Sequence, residues 1–588
     1  YLYGNMDMEK KLAFIDEHYL SHFDYLDVDS VIQEQKAFGA CQDVTLEYPV
    51  AENEGEEDNT YLSYNMVVGN AADSQMAMAF EVLDYALLSA DVQLANAFAV
   101  IEYVLLSAPG APLKQALLDV KAGKDVYGSY DDGILQPYFT VIAKGSNPDR
   151  KEEFVSVIRQ VLGDIVKNGI DRKAVEAGIN YFEFRYREAD FSSYPKGLMY
   201  SLDILGDWLY EKGNPFAQVQ QLTVFEKLKK AVNEGYFEEL IRKYLLENPH
   251  GCIMTLVPKK GLAAQREKEL EEKLEAYRSS LSEEQLDAMV EKTKALEAYQ
   301  EAGEDPKALE CIPMLKRSDI KREAAKIINE ELTVDDSLFL YHDVCTNGIG
   351  YVDLMFKTDS IAPEQIPYLG LLKSVLGYVD TENYTYGELF NEINANTGGI
   401  NCGVEVFDRA DSTEEFQAMF SVRGKALYTK MDFLFKMIGE ILNSSKLEDT
   451  KRLYEIVASV KSRAQVNLTG AGHSTAVLRA AAYSSPMAAF QDEMAGIGYY
   501  QFIEKLEKDF EQRKEETVEE LCKLMKKILR PENFMISYTG ERESLETVQK
   551  LAGAVKAGLG TEPVEKSEEK LTCTKKNEGF KTSGQVQY

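Results

Sequence analysis

The chain has 588 residues, 45% of them apolar, so it is too long for one hydrophobic core and predicts roughly three to four domains. Its net charge of −33 disfavours nucleic acid as a partner, because binding a phosphate backbone needs a surface rich in Lys and Arg. No run of about eighteen or more apolar residues occurs, so we expect no transmembrane helix and no membrane partner.

The N-terminal part of the chain predicts a strand, a helix and then further strands. Residues 1–7 have the pattern of a strand that ends in a turn, and residues 9–23 have helical periodicity. They carry no initiating Met, basic segment or Arg-rich leader, so we expect the natural chain to begin upstream. Apolar and polar residues alternate in part at the next predicted strands, 44–50, 61–68 and 136–144.

The helix that follows has clear boundary signals. Asn147 is the predicted N-cap, Pro148 takes the first helical position, and Gly169 lies just past the end. Two more long helices are predicted at residues 172–188 and 218–246.

One arrangement of helix, short turn with Pro and Asn, and apolar strand occurs twice. The helix at 218–246 is followed by Asn248-Pro249 and a strand at 253–257, and a helix at 518–529 is followed by a strand at 534–538. The recurrence predicts two domains of one design.

A charged helical hairpin is predicted between these two domains. Its first arm spans residues 262–280, and its second arm opens with a capping box formed by Ser282 and Gln285 and ends near Gly303. An irregular stretch then leads to the next domain at about Glu331. A hairpin in this position is typical of a spacer or hinge.

A short internal repeat precedes the second predicted strand pair. Residues 79–90 align with residues 97–108 at an offset of eighteen, which is about five helical turns, so a duplicated helix would keep its buried face in register. Two similar amphipathic helices that arose by chance are the alternative.

The five histidines decide most of the question of a zinc site. His18 and His22 have i, i+4 spacing on the predicted first helix, but no Glu lies between them to act as general base, so we interpret them as polar helix residues. His250 is interpreted as a cap or surface residue of a turn, and His342 as a satisfied core or edge histidine of a strand.

Glycines mark the candidate substrate-contacting residues, because glycine lets a backbone approach a ligand closely. Gly472 and His473 lie in a glycine-rich turn between helices, and Gly398 and Gly399 form a second glycine pair. No catalytic residue and no metal ligand is assigned in the chain.

Other hydrolase and nucleotide-binding signals are missing from the sequence. It contains no G-x-S-x-G elbow, no P-loop and no dinucleotide-binding fingerprint, and its 98 acidic residues make chance carboxylate pairs inevitable. Seven scattered cysteines without a C-x-x-C pair favour free thiols in a reducing compartment. We expect a bacterial cytoplasmic source, with an organelle matrix as the alternative.

Several segments taken together resemble the presequence-protease branch (subfamily C) of the M16 metallopeptidases, in the insulinase clan. They occur in order along essentially the whole chain: YLYGNMD at 1–7, SAPGAPLKQALL at 107–118, GSYDDGILQPYF at 128–139, the helical hairpin, YTYGEL at 384–389, TGGI at 397–400, SVRGKAL at 421–427, and Gly472-His473.

The resemblance implies an α+β fold in which two repeated M16-type domains, each an antiparallel-rich sheet with helices packed on it, are joined by the hairpin. It implies the end of a first domain at 1–25, a second domain at 26–260, the hairpin hinge at 261–330, a third domain at 331–560 and a linker at 561–588. The first and fourth domains of the same polypeptide would then be its structural partners.

The resemblance also implies a function for the parent protein, a zinc metalloendopeptidase that encloses unfolded peptides in a chamber. The family's zinc ligands and catalytic Glu lie in an H-x-x-E-H motif that this sequence lacks, so we expect the chain to form chamber wall and hinge, to bind no zinc and to be inactive alone. A non-catalytic binding or scaffold protein of the same fold is the main alternative. An unrelated hairpin adaptor with two α+β domains is a weaker one.

Overall fold

Two mixed β-sheets, each covered by helices, organise the chain into two halves separated by a helical hairpin. The computed structural model describes residues 7–581 except 31, 34, 52–54, 69–85, 210–215, 310–313, 325, 568 and 570. The strand predicted at residues 1–7 lies almost wholly outside the described residues.

The first half alternates strands and helices. Its elements are α1 (Met8–His18), β1 (Gln42–Val50), β2 (Thr60–Val67), α2 (Ala86–Glu102), α3 (Pro112–Asp119), β3 (Asp125–Asp131), β4 (Tyr138–Ser146), α4 (Lys151–Asn168), α5 (Arg172–Glu188), α6 (Lys196–Trp208), α7 (Leu222–Ala231), α8 (Tyr236–Leu240) and β5 (Gly251–Lys260).

The hairpin and the second half follow. Their elements are α9 (Leu262–Ser280), α10 (Glu283–Glu301), α11 (Pro306–Leu309), β6 (Glu330–Val334), β7 (Ser337–Asp343), β8 (Ile349–Lys357), α12 (Ile366–Val375), α13 (Tyr386–Asn396), β9 (Ile400–Arg409), β10 (Ser412–Leu427), α14 (Met431–Ser444), α15 (Thr450–Gly470), α16 (Gly472–Ala481), α17 (Pro486–Ala495), α18 (Ile497–Lys508), α19 (Phe510–Ile528), β11 (Phe534–Gly540) and α20 (Leu545–Ala557).

The two sheets share one topology. The first has the order β1-β5-β2-β4-β3, and the second repeats it as β7-β11-β8-β10-β9 with β6 added at the edge. In both sheets the first and last strands of the unit pair in parallel, and the other equivalent pairs are antiparallel. The expectation of two repeated α+β units joined by a hairpin is confirmed.

Period-two burial explains why interior strands form in both sheets. Leu62, Tyr64 and Met66 of β2 point into the first core and are at most 1% exposed. Ile536 and Tyr538 of β11 do the same in the second core. Each half therefore packs its helices on one face of its own sheet.

The helix α4 begins later than its sequence signals predict. Pro148–Arg150 forms a 3₁₀ turn, and the α-helix starts at Lys151. Asn147 does not cap it, because its side chain bonds Asp58 instead, with Nδ2 donating to Oδ1 at 2.7 Å. The predicted end is confirmed: Gly169 has φ +92°, a conformation that suits glycine.

The long helix predicted at 218–246 is wrong as a single element. Gly235, at φ +74°, interrupts it between α7 and α8, and the last turn widens to a π-helix at Ile241–Leu246. The helix α6 was not predicted. The hairpin is confirmed, with Ser282 N donating to Gln285 Oε1 at 2.9 Å and Gln285 N to Ser282 Oγ at 3.2 Å.

The internal repeat can be followed only in its second copy, because residues 79–85 lie outside the described residues. Residues 97–108 form the end of α2 and a π-helical turn at Tyr103–Ser107. In the described part of the chain, one helical stretch, Val92–Asp119, is long and apolar enough to cross a membrane. Its buried residues, such as Phe98, Ile101 and Leu105, are fully enclosed by the first core.

Candidate functional site

The two halves contact each other directly, chiefly through α5 and α13. Tyr103 of the π-helical turn stacks on Tyr181 of α5 with ring centroids 4.7 Å apart. Asn394 of α13 donates from Nδ2 to the Tyr103 hydroxyl at 2.6 Å. Tyr103 is 7% exposed and Asn394 4%. Burial of the phenol raises the pKa of Tyr103 far above its ordinary value, so the hydroxyl stays protonated.

The candidate residue Gly398 lies at this contact. A Cβ on Gly398 would fall 2.2 Å from Cε1 of Phe184, which belongs to α5 of the other half. Gly398 N donates to the carbonyl of Lys425 at 2.7 Å, and Gly399 has φ +108°. The space beside Gly398 is therefore already filled by protein.

An ion pair with a buried carboxylate lies at the same contact. Lys425 Nζ lies 2.5 Å from Oε2 of Glu188, the last residue of α5, and the Glu188 side chain is 5% exposed. The Lys425 ammonium also lies 5.9 Å from the centre of the Phe184 ring. An exposed pair, Lys451 with Asp119 at 2.9 Å, crosses between the halves elsewhere.

A polar cluster lies beside the π-helical turn. Glu102 accepts from Ser107 Oγ at 2.7 Å, and Lys114 Nζ lies 3.6 Å from Asp125 Oδ1. Burial raises the pKa of Glu102 and lowers the pKa of Lys114, and the hydrogen bond from Ser107 opposes the first shift. Desolvation thus disfavours the charged form of both groups.

The other glycine-rich candidate lies at the start of α16. Ala471 separates α15 from α16, which begins at Gly472, and His473 on the first turn of α16 is exposed. Gly472 and His473 are therefore not part of the contact around Gly398. The structure brings together Gly398 and Gly399 only.

Of the three expectations for the remaining histidines, one is confirmed and two are wrong. His342 is satisfied at a strand, with Nδ1 donating to the carbonyl of Ile328 at 2.7 Å and Nε2 3.2 Å from Ser537 Oγ. His250 is not a surface residue: it is 1% exposed, packs edge-on against Phe38, and burial lowers its pKa. The expectation that His18 and His22 lie on one helix is wrong. The helix α1 ends at His18, Tyr19 leaves the helical conformation at φ −130° and ψ −67°, and His22 belongs to a separate 3₁₀ turn.

The residues that the structure describes do not fit a zinc site. His22 Nδ1 bonds Ser21 Oγ at 3.2 Å, and the His18 ring packs on Phe14. Over the described ranges, no group of three or more His, Cys, Asp and Glu side chains could hold a metal ion. Six cysteines within those ranges are free thiols, and Cys311 lies outside them.

Family models match two parts of the chain. Residues 1–182 match the Peptidase M16 inactive domain, and residues 256–506 match the associated domain of subfamily C of Peptidase M16. The chain belongs to subfamily C of the M16 peptidase family.

The curated relatives that the chain resembles are longer proteins. Protein HypA of Clostridium perfringens is 37% identical over all of this chain and 58% of its own length. Presequence protease 1, chloroplastic/mitochondrial, of Arabidopsis thaliana is 27% identical over 94% of this chain and 50% of its own length. The chain thus spans about half the length of the curated relatives it matches. Among solved structures, pitrilysin has 13% identity and a TM-score of 0.41, with 89% of this chain and 49% of that chain covered.

Sequence reasoning missed the residues that build the contact between the halves. Tyr103 and Glu188 lie on predicted helical stretches, whereas no helix was predicted at Asn394. A single sequence also carries no signal for which helices meet. Gly398 was selected as a candidate contact with substrate, and nothing in the sequence pairs it with Phe184.

Proposed function

We propose that the chain is the wall and hinge portion of a zinc metalloendopeptidase that degrades unfolded peptides. The observation that carries the proposal is the match of residues 1–182 to an M16 domain described as inactive, together with two units of one topology in a single chain of this family. Such units hold the shape of an enclosure and leave the chemistry to a domain that carries the zinc motif.

We also propose the roles of the chain's parts. Residues 1–25 belong to the end of a first domain, 26–260 form the second, 261–330 the hinge, 331–560 the third, and 561–588 a linker. The exposed helices α9 and α10, on which Leu274 is 56% and Leu296 53% exposed, suit a hinge that stands clear of both cores. Gly472 and His473 are the proposed contacts with peptide substrate.

The proposed cofactor is zinc, held by residues of the whole protein that are not in this sequence, and no step of the chemistry is assigned to this chain. The proposed partners are unfolded peptides, with neither nucleic acid nor membrane involved. The proposed location is the bacterial cytoplasm, supported by the free thiols. An organelle matrix is the alternative, supported by relatives named as chloroplastic or mitochondrial proteases.

The test compares this chain with the protein encoded by its full gene. Both are purified and assayed for bound zinc and for cleavage of an unfolded fluorogenic peptide, with and without chelator. We expect zinc and chelator-sensitive cleavage in the full protein and neither in the 588-residue chain. Cleavage by the chain alone would refute its non-catalytic role.

The second candidate, a non-catalytic binding protein, is favoured by the same inactive-domain match. It predicts that the full protein binds the peptide in a fluorescence anisotropy titration but neither holds zinc nor cleaves. A His473→Ala variant that binds the peptide as tightly as the parent would exclude His473 as a contact in either case.

A further inference from the structure

The segment 571–581 lies across the second half without helix or strand structure. Leu571 packs on the second core, and further upstream Ser567 N donates to the carbonyl of Ser360 at 3.2 Å. The C-terminal end of the segment contacts α16 and Tyr483, which lies just after the end of α16. It therefore occupies a protein surface in the way an extended peptide would.

The surface under the segment is built around a buried arginine. Arg479 of α16 is 8% exposed, and its Nη1 donates to Oδ2 of Asp492 at 2.5 Å. Asp492, 1% exposed, also accepts from Ile497 N at 3.0 Å and Gly498 N at 3.2 Å. Asp492 is thus fixed by the start of α18, and it fixes one edge of the guanidinium in turn.

The other edge of the guanidinium binds the segment. Arg479 Nε donates to Glu578 Oε1 at 2.7 Å, and the Tyr483 hydroxyl donates to the same oxygen at 2.6 Å. The ring of Phe580 lies 5.9 Å from the guanidinium carbon. Gly579 lies between these two anchors, so a carboxylate and an aromatic ring two residues apart reach one arginine together.

We propose that Arg479 and Tyr483, positioned by Asp492, form a docking site for an extended peptide that carries a carboxylate two residues before an aromatic ring. Residues 571–581 are its occupant within the chain. A separate peptide of the same kind binds by displacing that occupant. The site is independent of the peptidase proposal, because it needs neither zinc nor cleavage.

The test uses a fluorescently labelled peptide with the sequence of residues 572–581, carrying Ser in place of Cys573. Its anisotropy is titrated with the intact chain and with the Glu578→Gln, Phe580→Ala double variant, in which the occupant is weakened. Because a tethered occupant acts at an effective concentration of about a millimolar, we expect the peptide to bind the double variant at least about fivefold more tightly than the intact chain.

Matched controls separate recognition from nonspecific attraction. A peptide with Gln for Glu578 should lose about tenfold in affinity for the double variant, because a charge-assisted hydrogen bond is lost. A Glu569→Gln chain, altered just before the segment and outside this cluster, should behave as the intact chain does. Amide exchange of residues 575–581 should become about fivefold faster with Glu578→Gln and stay unchanged with Glu569→Gln.

Variants of the site itself complete the test. Arg479→Met leaves Asp492 as a buried charge without its arginine and can fail to fold. Tyr483→Phe keeps the Arg479–Asp492 pair and removes one donor to the peptide, and should weaken peptide binding severalfold. Equal binding of the Glu and Gln peptides, no saturable binding to the double variant up to about a millimolar, or equal binding to the intact chain and the double variant would each overturn the proposal.

Discussion

Asn394 of the second half donates a hydrogen bond from Nδ2 to the hydroxyl of Tyr103 in the first half at 2.6 Å, and both side chains are buried. The bond lies within an aromatic contact, because Tyr103 also stacks on Tyr181 and lies 6.2 Å from the ring of Phe390. A polar pair in this apolar setting fixes which part of α13 meets the first half, since any shift would leave two buried polar groups without partners.

Asn394→Ala should therefore destabilise the chain. It leaves the Tyr103 hydroxyl buried without its donor, at a cost of about 1 to 3 kcal/mol in the free energy of unfolding, measured by urea titration. Asn396→Ala is the matched control on the same helix, because both hydrogen bonds of the Asn396 side chain, to the carbonyl of Glu392 and from Lys430 Nζ at 2.8 Å, stay within the second half. Equal losses for the two variants would contradict the role of the Tyr103 bond.

Two of the ion pairs that cross between the halves should differ in strength. Lys425→Met leaves Glu188 as a buried carboxylate without its ammonium partner, and we expect a loss of roughly 3 kcal/mol in the free energy of unfolding. Lys451→Met removes a pair whose side chains are 74% and 50% exposed, and we expect a loss below about 1 kcal/mol. A salt titration checks the distinction, because only the exposed pair should weaken strongly as ionic strength rises.

The repeated architecture could be predicted from the sequence, because it depends on local patterns. Alternating apolar residues located β2, and the recurring order of helix, turn and apolar strand located β11. The capping box at Ser282 located the start of α10. The errors came from competition by distant groups and from backbone conformation. Asn147 has the chemistry of an N-cap, but its side chain donates a hydrogen bond to Asp58, which is far away in sequence. Gly235 broke a helix whose apolar periodicity continued across the break.

The candidate site was harder to predict than the fold. Gly398 was selected because glycine permits close approach, and it is approached closely, but by Phe184 of the other half. Periodicity identifies which face of α5 or α13 is apolar. It does not identify what covers that face, because the partner is a second amphipathic surface with the same composition.

The charge of Glu102 should make stability depend on pH. Burial raises the folded-state pKa of Glu102 above the unfolded value of about 4.3, so its contribution to stability is greatest below that value and is lost as pH rises toward the folded pKa. Glu102→Gln removes this dependence. The variant should gain stability relative to the parent between about pH 4.5 and neutrality, measured by urea titration at several pH values.

Ser107→Ala serves as the opposite control for Glu102. The Ser107 hydroxyl donates to the Glu102 carboxylate and opposes the rise in its pKa, so its removal should raise that pKa further and steepen the loss of stability with rising pH. A parent and a Glu102→Gln variant with parallel pH profiles would show that this carboxyl group does not govern the effect.

Gly398→Ala should push the two halves apart at Phe184. The added Cβ would lie 2.2 Å from Cε1 and 2.4 Å from Cζ of that ring, so either the ring or the helix α5 must move, and we expect a loss of about 1 to 3 kcal/mol in the free energy of unfolding. Gly439→Ala on α14 is the matched control: its Cβ meets nothing within 4 Å, and alanine in a helix should stabilise by about 0.5 to 1 kcal/mol. Combining Gly398→Ala with Phe184→Leu should recover part of the loss, because the smaller side chain vacates the space that the new methyl group needs. If the double variant were less stable than the sum of the two single changes predicts, steric conflict with Phe184 would not be the cause.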